Sequence, residues 1–226
     1  MRPRVYVDVD DVLCRTAQVA VETVRDLFGI SRTFDQLHSF NLDEAFGLSP
    51  EQLDILLTHL NSAAGLRHIP PRSGATACLL TWSQVAEICV VTGRSPKNWR
   101  ATRDWLKSEE VACDRLLFAN KYDRFDAADL ASGADIVSNE DLLSLDFAFA
   151  VEDSASYSRS LAGLGIPVLL MDRPWNRDRE PGDQLADNAA AIIRCAGWPA
   201  VEREARALLP LLGAGETEAK GSVRCQ

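Results

Sequence analysis

Between Val5 and Cys14 the chain reads VYVDVDDVLC, which sets three carboxylates, Asp8, Asp10 and Asp11, directly behind a run of β-formers. Three more polar sets follow apolar runs further on: Thr92, Gly93 and Arg94 after AEICVV, Asn120 and Lys121 after DRLLFA, and Glu152, Asp153 and Ser154 after DFAFAV. Carboxylates from two such runs make a hard-oxygen nest of the kind Mg2+ prefers and shares with phosphate. Lys121, the Thr92 hydroxyl and the N–H groups around Gly93 would supply the positive field that keeps such a nest from repelling a phosphate. These residue types point to phosphoryl chemistry assisted by a divalent cation. A carboxylate held by a cation and a lysine stays ionised and can attack, while a neighbour outside that field can carry a proton.

Residues so far apart in the chain need a scaffold that gathers strand ends. RVYVDVD, AEICVVTG, DRLLFAN, DFAFAVED and IPVLLMD each read as a buried strand, a continuous apolar run of the length expected when both faces are covered. Helix patterns lie between them: TAQVAVETVRDLFG, SPEQLDILLTHLNSA, SGATACLLTWSQV, SPKNWRATRDWLKSEE and SASYSRSLAGLG, several of which open on Ser or Thr at the N-cap position. The alternation predicts an α/β fold, a doubly wound, Rossmann-like parallel sheet with right-handed crossovers. Ligands bind such sheets at the carboxyl ends of the strands, where all four polar sets fall.

The interval between the first and second strands far exceeds the dozen or so residues a crossover needs. Residues 15–71 carry helix patterns and end at IPPRSG, whose paired prolines mark a boundary. They read as a small helical cap inserted after the first strand and lying over the sheet's carboxyl edge, with residues 1–14 and 72–212 as the α/β core. Beyond the last predicted strand, DRPWNRDREPGDQ reads as a surface loop, NAAAIIRCAG and WPAVEREARALLPLL as closing helices, and residues 213–226 as a disordered tail.

Composition narrows the function classes. At 226 residues, 46% hydrophobic and 25% charged, the chain has globular rather than disordered character. A formal charge of -9 opposes binding of a nucleic-acid polymer, which rests on Lys and Arg neutralising phosphates. The six cysteines form no C-x-x-C pair and have no histidine at ligand spacing, so they read as reduced structural thiols and not as a zinc site. The N-terminus lacks the apolar stretch of a signal peptide, and no run is long enough to span a bilayer, so a cytoplasmic location away from the membrane is expected.

Taken in order, DVDDVL at Asp8 to Leu13, VVTGR at Val90 to Arg94, the lone Lys121 and VEDS at Val151 to Ser154 resemble the four motifs of the haloacid-dehalogenase-like phosphatases. The insertion between the first two motifs and LLMDRPWNR after the fourth are most similar to the 5'(3')-deoxyribonucleotidase branch and its bacterial nucleotidase-like relatives. The resemblance implies that Asp8 is the nucleophile that becomes an aspartyl phosphate, and that Asp10 is first the acid for the leaving oxygen and then the base for water. It also implies that Thr92 and Gly93 bind the phosphoryl oxygens and that Lys121 shields Asp8 from the transferring group. By the same resemblance Mg2+ would be held by Asp8, the Asp10 carbonyl and Asp153, with Glu152 on an outer-sphere water, and the substrate would be a small phosphate ester such as a nucleoside 5'-monophosphate. Arg94 is a further candidate for substrate contact. At Asp11 the commonest first motif has glycine; Asp tolerates left-handed geometry and can cap the turn with its own side chain.

Each signal has a duller counterpart when taken alone. D-x-D behind a strand is often a turn or N-cap, TGR an ordinary strand-to-helix turn, Lys121 a solvated lysine and EDS a helix cap. Their joint order at four strand ends carries the reading. Phe28, Phe34, Phe40 and Phe46 are read as the insertion's private core ahead of a pocket lining. Carbon–halogen hydrolysis would need neither Asp10 nor the metal ligand Asp153, and the cap lysine of a phosphonate hydrolase is missing, since no lysine precedes Lys97. A receiver module would place its lysine after the final acidic pair, whereas Lys121 precedes Glu152 and Asp153. A non-catalytic phosphate-binding module and a phosphatase of sugar or biosynthetic phosphates are the remaining alternatives.

Overall fold

Alternation along the first strand sends Val5 and Val7 to one face of a sheet and Tyr6 to the other, and all three side chains are wholly buried. A strand covered on both faces belongs in the middle of a parallel sheet. The computed structural model, which describes residues 2–177 and 190–209, places it there. Chain order runs β1 (Arg4–Asp8), α1 (Thr16–Phe28), α2 (Leu42–Phe46), α3 (Pro50–Asn61), α4 (Ala63–Arg67), α5 (Ala75–Trp82), β2 (Glu87–Thr92), α6 (Trp99–Ser108), β3 (Arg115–Ala119), α7 (Ala127–Leu130), β4 (Ile136–Val137), α8 (Asn139–Leu143), β5 (Phe147–Glu152), α9 (Ala155–Gly163), β6 (Val168–Met171), β7 (Ile192–Cys195) and α10 (Trp198–Leu208).

The sheet order is β4-β3-β2-β1-β5-β6-β7 and every pairing is parallel. From β1 the chain steps outward to β4, then returns to the opposite side at β5, so the topological switch falls between β1 and β5, where a ligand crevice is expected. On one face α5, α6 and α10 bring Trp82, Trp105 and Trp198 against Val5, Val7, Phe149 and Val151. On the other, α9 packs Tyr157 and Leu161 against Tyr6 and Ala150. Truncating any of the three tryptophans to alanine would cost about 3–5 kcal/mol.

The helices between β1 and β2 have a third core of their own, where Ala17, Ala20 and Val24 of α1 meet Phe46, Leu56 and Leu60. α1 stops at Gly29 in the left-handed conformation, and α3 starts at a capping box between Ser49 and Gln52. The two strands of chain that enter and leave this segment are stitched together: Arg15 N–H donates to the Pro70 carbonyl at 3.0 Å, and Arg72 N–H to the Leu13 carbonyl at 2.8 Å.

Among the described residues seven strands replace the five expected, and one element changes type. NAAAIIRCAG, read as a closing helix, contains β7, because Ile192 to Cys195 pair with Val168 to Met171 of β6. Alanine's helix preference is a weak local bias that a ladder of sheet hydrogen bonds overrides. β4 escaped notice because it is two residues long. The tail at residues 213–226, and the loop after β6 from residue 178 on, lie outside the described residues. No helix among the described residues is long and apolar enough to cross a membrane.

Candidate active site

Period-2 geometry puts Tyr6 and Asp8 on one face of β1, so the phenol lies directly beneath the carboxylate that ends the strand. Lys121, just past β3, reaches into the space between them. Its Nζ lies 2.5 Å from Asp8 Oδ1 and 2.7 Å from Glu152 Oε1, with the Tyr6 and Tyr157 rings 5.1 and 5.0 Å away. Tyr6 Oη donates to the same Glu152 oxygen at 2.9 Å, and Glu152 Oε2 accepts the Asp153 and Ser154 N–H groups at 2.8 and 3.0 Å. Glu152 is thereby saturated by four protein donors, orienting Lys121 on one side and the β5–α9 turn on the other. Burial alone would lower the Lys121 pKa, but Asp8 and Glu152 more than reverse this and hold it well above the usual lysine range.

A second group forms around Asp10. The Arg94 guanidinium grips it in two-point fashion, Nε to Oδ2 at 2.9 Å and Nη2 to Oδ1 at 2.7 Å, and the Thr16 hydroxyl donates a short bond to Oδ1. Burial pushes the Asp10 carboxyl up, yet Arg94 and Thr16 outweigh it and leave its pKa below the ordinary value. Arg94, read from sequence as a substrate contact, thus turns to Asp10 in this structure; its buried Nη1 has no partner among the described residues. Thr92, wholly buried, accepts the Arg94 N–H on its hydroxyl oxygen at 3.1 Å, which leaves its own proton free to donate. At Gly93 a Cβ would stand 3.2 Å from the Tyr122 ring, a close approach that favours the missing side chain.

Asp11 takes a left-handed φ of 57° and works as a joint between sheet and insertion. Its Oδ2 accepts the Ala17 N–H at 2.9 Å, inside the first turn of α1, and its Oδ1 pairs with Arg72 at 2.6 Å. Arg173, past β6, donates from Nε to the Asp11 carbonyl at 3.0 Å. Asp153 closes the circle: Trp175 Nε1 donates to its Oδ2 at 3.1 Å, and Asn176 Nδ2 donates to its carbonyl at 2.8 Å.

These partners leave a charge imbalance. Burial raises the Asp8 pKa, Lys121 draws it back, and Glu152 and Asp10 push it up again. Burial, with Glu152, Asp8 and Asp11, raises Asp153 well above the carboxylate range, against a smaller pull from Arg173. One carboxylate oxygen from each of Asp8, Glu152 and Asp153 lies within 4.8 Å of the others. Among the described residues no donor reaches Asp8 Oδ2 or Asp153 Oδ1. Two open carboxylate oxygens on largely buried side chains, beside a saturated third carboxylate, fit a hard, oxygen-seeking divalent cation.

Above this floor lies a cavity of about 660 Å³ bounded by Asp8, Asp10, Asp153, Gly93 and Arg94 below and by α1, α3 and the Leu37–Asp43 segment above. No family model and no curated protein sequence matches the chain. Solved structures do. A haloacid-dehalogenase-like hydrolase, SP0104 of Streptococcus pneumoniae, has a TM-score of 0.56 at 15% identity, over 91% of this chain and 97% of its own. A haloacid-dehalogenase family hydrolase of Deinococcus radiodurans, solved with bound phosphate and sodium, gives 0.55 at 15% identity over 94% and 96%. The chain has the haloacid-dehalogenase-like fold. Protein Tyrosine Kinase A of Mycobacterium tuberculosis gives 0.59 at 16% identity over 90% and 98%, so proteins of different described activities share this architecture.

Of the residues read from sequence, Asp8, Asp10, Asp153, Gly93 and Arg94 line the cavity, Lys121 and Glu152 lie behind Asp8, and Thr92 is buried against the Arg94 backbone. Sequence reading did not find Tyr6, Thr16, Arg72 or Arg173, which hold them. Arg173 follows a strand that had been recognised, and extending the strand-end rule to β6 would have caught it. Tyr6 carried the period-2 signal that places it under Asp8. Of the four phenylalanines weighed together, Phe46 is in the insertion's core with Phe28 and Phe34 against it, while Phe40 lines the cavity and meets Tyr122 with 5.4 Å between ring centroids.

Proposed function

We propose that the protein is a divalent-cation-dependent hydrolase of small phosphate monoesters, with Asp8 as its nucleophile and the helical insertion as a cap over the substrate. The observation that carries this reading is the state of Asp8: one oxygen bound to Lys121, the other without a protein donor, at the floor of a cavity beside Asp153. A carboxylate fixed in this way is oriented for in-line attack on phosphorus, and Lys121 screens its charge from the incoming group. Asp8 and Asp153 would hold the cation, with Mg2+ the ion best suited to the oxygen set. When bound it would neutralise charge on the transferring phosphoryl group.

Asp10 serves both halves of the reaction. The leaving oxygen takes a proton from it as Asp8 takes the phosphoryl group; Asp10 then withdraws a proton from the water that hydrolyses the aspartyl phosphate. Arg94 holds it in the carboxylate form needed for the second half, so proton uptake for the first requires that pair to loosen as the cap closes on substrate. Thr92 Oγ1 and the Gly93 N–H would receive the phosphoryl oxygens.

Phosphate release from a panel of phosphorylated metabolites, with Mg2+ or with EDTA, tests the reading. Turnover that needs the cation and disappears in Asp8→Asn supports it. Phosphate binding without turnover on any ester would favour a binding module instead. The finer nucleoside-monophosphate assignment rests on the position of the insertion and on LLMDRPWNR; turnover of other esters but of no nucleotide would remove it.

A further inference from the structure

The walls of the cavity carry more apolar surface than the fold requires. On α3, Leu56 and Leu60 are buried in the insertion's core, yet Leu53 and Leu57, four residues apart on the same helix face, are half-buried and line the cavity. Leu37, Leu60, Leu66 and Ile69 belong to the same lining, with the Phe40 and Tyr122 rings. Apolar side chains around a cavity of this size are a binding surface for an apolar group.

The polar side chains on the same walls are mostly committed. Ser39 donates to Glu44 at 2.6 Å, Thr16 is bound to Asp10, and Ser95 is bound to Asp129. Among the described wall residues the Asp43 and Asn61 side chains and the Tyr122 hydroxyl are uncommitted, and the Asn41 side chain reaches only Glu44, at 3.5 Å. Among the described residues the cationic side chains bounding the cavity are Arg94, which is paired with Asp10, and Arg124, which is exposed and lies over the Tyr122 ring at 5.2 Å. A polyhydroxylated sugar would leave several hydroxyls without partners here, and a second phosphate would find no cluster of cations among the described residues.

We propose that the ester cleaved at this site bears a single phosphate on an apolar alcohol, aryl or medium-chain alkyl. This rests on the hydrolase reading above. The P–O bond to that alcohol breaks, Asp8 takes the phosphoryl group, and the oxygen leaves with the Asp10 proton as a neutral alcohol. Water then releases inorganic phosphate and restores Asp8. The Leu53 and Leu57 side chains hold the alcohol's apolar body, so selectivity against polar leaving groups resides in α3.

Two parallel measurements test the assignment. Wild-type kcat/KM for 1-naphthyl phosphate, hexyl phosphate, glucose 6-phosphate and thymidine monophosphate is compared with that of Leu57→Asn, with Leu57→Ala as a second variant should the first fail to fold. Calorimetric binding of 1-naphthyl phosphate, glucose 6-phosphate and inorganic phosphate to Asp8→Asn runs beside it. The expected result is a preference of at least about tenfold for the apolar esters, reduced about tenfold by Leu57→Asn mainly through KM, with glucose 6-phosphate little changed. Turnover that favours glucose 6-phosphate or the nucleotide, or an apolar preference untouched by both Leu57 variants, overturns the assignment and leaves the hydrolase reading intact. No turnover of any ester, with 1-naphthyl phosphate still binding Asp8→Asn more tightly than inorganic phosphate does, overturns the hydrolase reading and keeps the apolar site. Neither turnover nor selective binding overturns both.

Discussion

At the carboxyl edge of the sheet, side chains from four strand ends are tied to one another: Lys121 to Asp8 and Glu152, Arg94 to Asp10, and Arg72 to Asp11. On the facing walls, α3 offers the half-buried Leu53 and Leu57. In the first region buried charges are paired, as burial demands, and among the described residues of the floor only Asp8 and Asp153 retain an open carboxylate oxygen. The second owes its form to its own small core and to the backbone pairing of its entering and leaving chain segments. On the proposed reading, reaction chemistry belongs to the floor and selectivity to the wall. Changes in the floor should appear in kcat, and changes in the wall in KM.

Removing Lys121 should break that division most forcefully. Lys121→Met leaves Asp8 and Glu152 facing each other without a cation, so phosphate release should fall about 10³-fold and unfolding in urea should show a loss of about 3–5 kcal/mol. Arg94→Met is the next largest change. It frees Asp10 from its two-point grip, raises that carboxyl's pKa toward the ordinary range, and should lower kcat about 10²-fold while KM for a given ester changes little. A pH profile separates this from misfolding, because the change in the Asp10 pKa should move the titration seen in kcat.

Chelation gives a smaller and differently shaped effect. In cation-free protein the Asp8 carboxyl is raised from 3.8 to about 8, so across that window the folded state binds more protons than the unfolded one. Stability should then fall as pH rises through the window. Added Mg2+ favours the ionised form, so the decline should flatten and the melting temperature at neutral pH should rise. Scanning calorimetry from mildly acidic to mildly alkaline pH, with EDTA and with Mg2+, checks the sign. Tyr6→Phe should be the mildest: losing the phenol's bond to Glu152 costs about 1 kcal/mol and shifts Lys121 enough to reduce kcat a few-fold.

The floor was largely legible in the sequence because acids, a lysine and a threonine directly after buried strands leave a local signal. What the sequence hid is the support. Tyr6 looked like one more β-former in VYVDVD, and its hydroxyl acquires meaning only once β5 brings Glu152 alongside β1. Arg72 sits among the prolines that mark a boundary, and its pairing with Asp11 depends on the chain returning alongside Cys14 at Pro71. β7 was hidden for a related reason, since its alanine-rich approach favours a helix until β6 supplies a ladder. Leu53 and Leu57 could not be told from core leucines by periodicity, because a helix that lines a cavity and packs on a core is apolar on both surfaces.

The central claim is that Asp8 takes the phosphoryl group itself. Acid-quenched protein, sampled during steady-state turnover of a phosphate monoester with Mg2+, can be digested and weighed peptide by peptide. The account predicts one added phosphoryl group on the peptide that carries Asp8, absent in Asp8→Asn. Turnover with that peptide unmodified, together with full activity in Asp8→Asn, would contradict it.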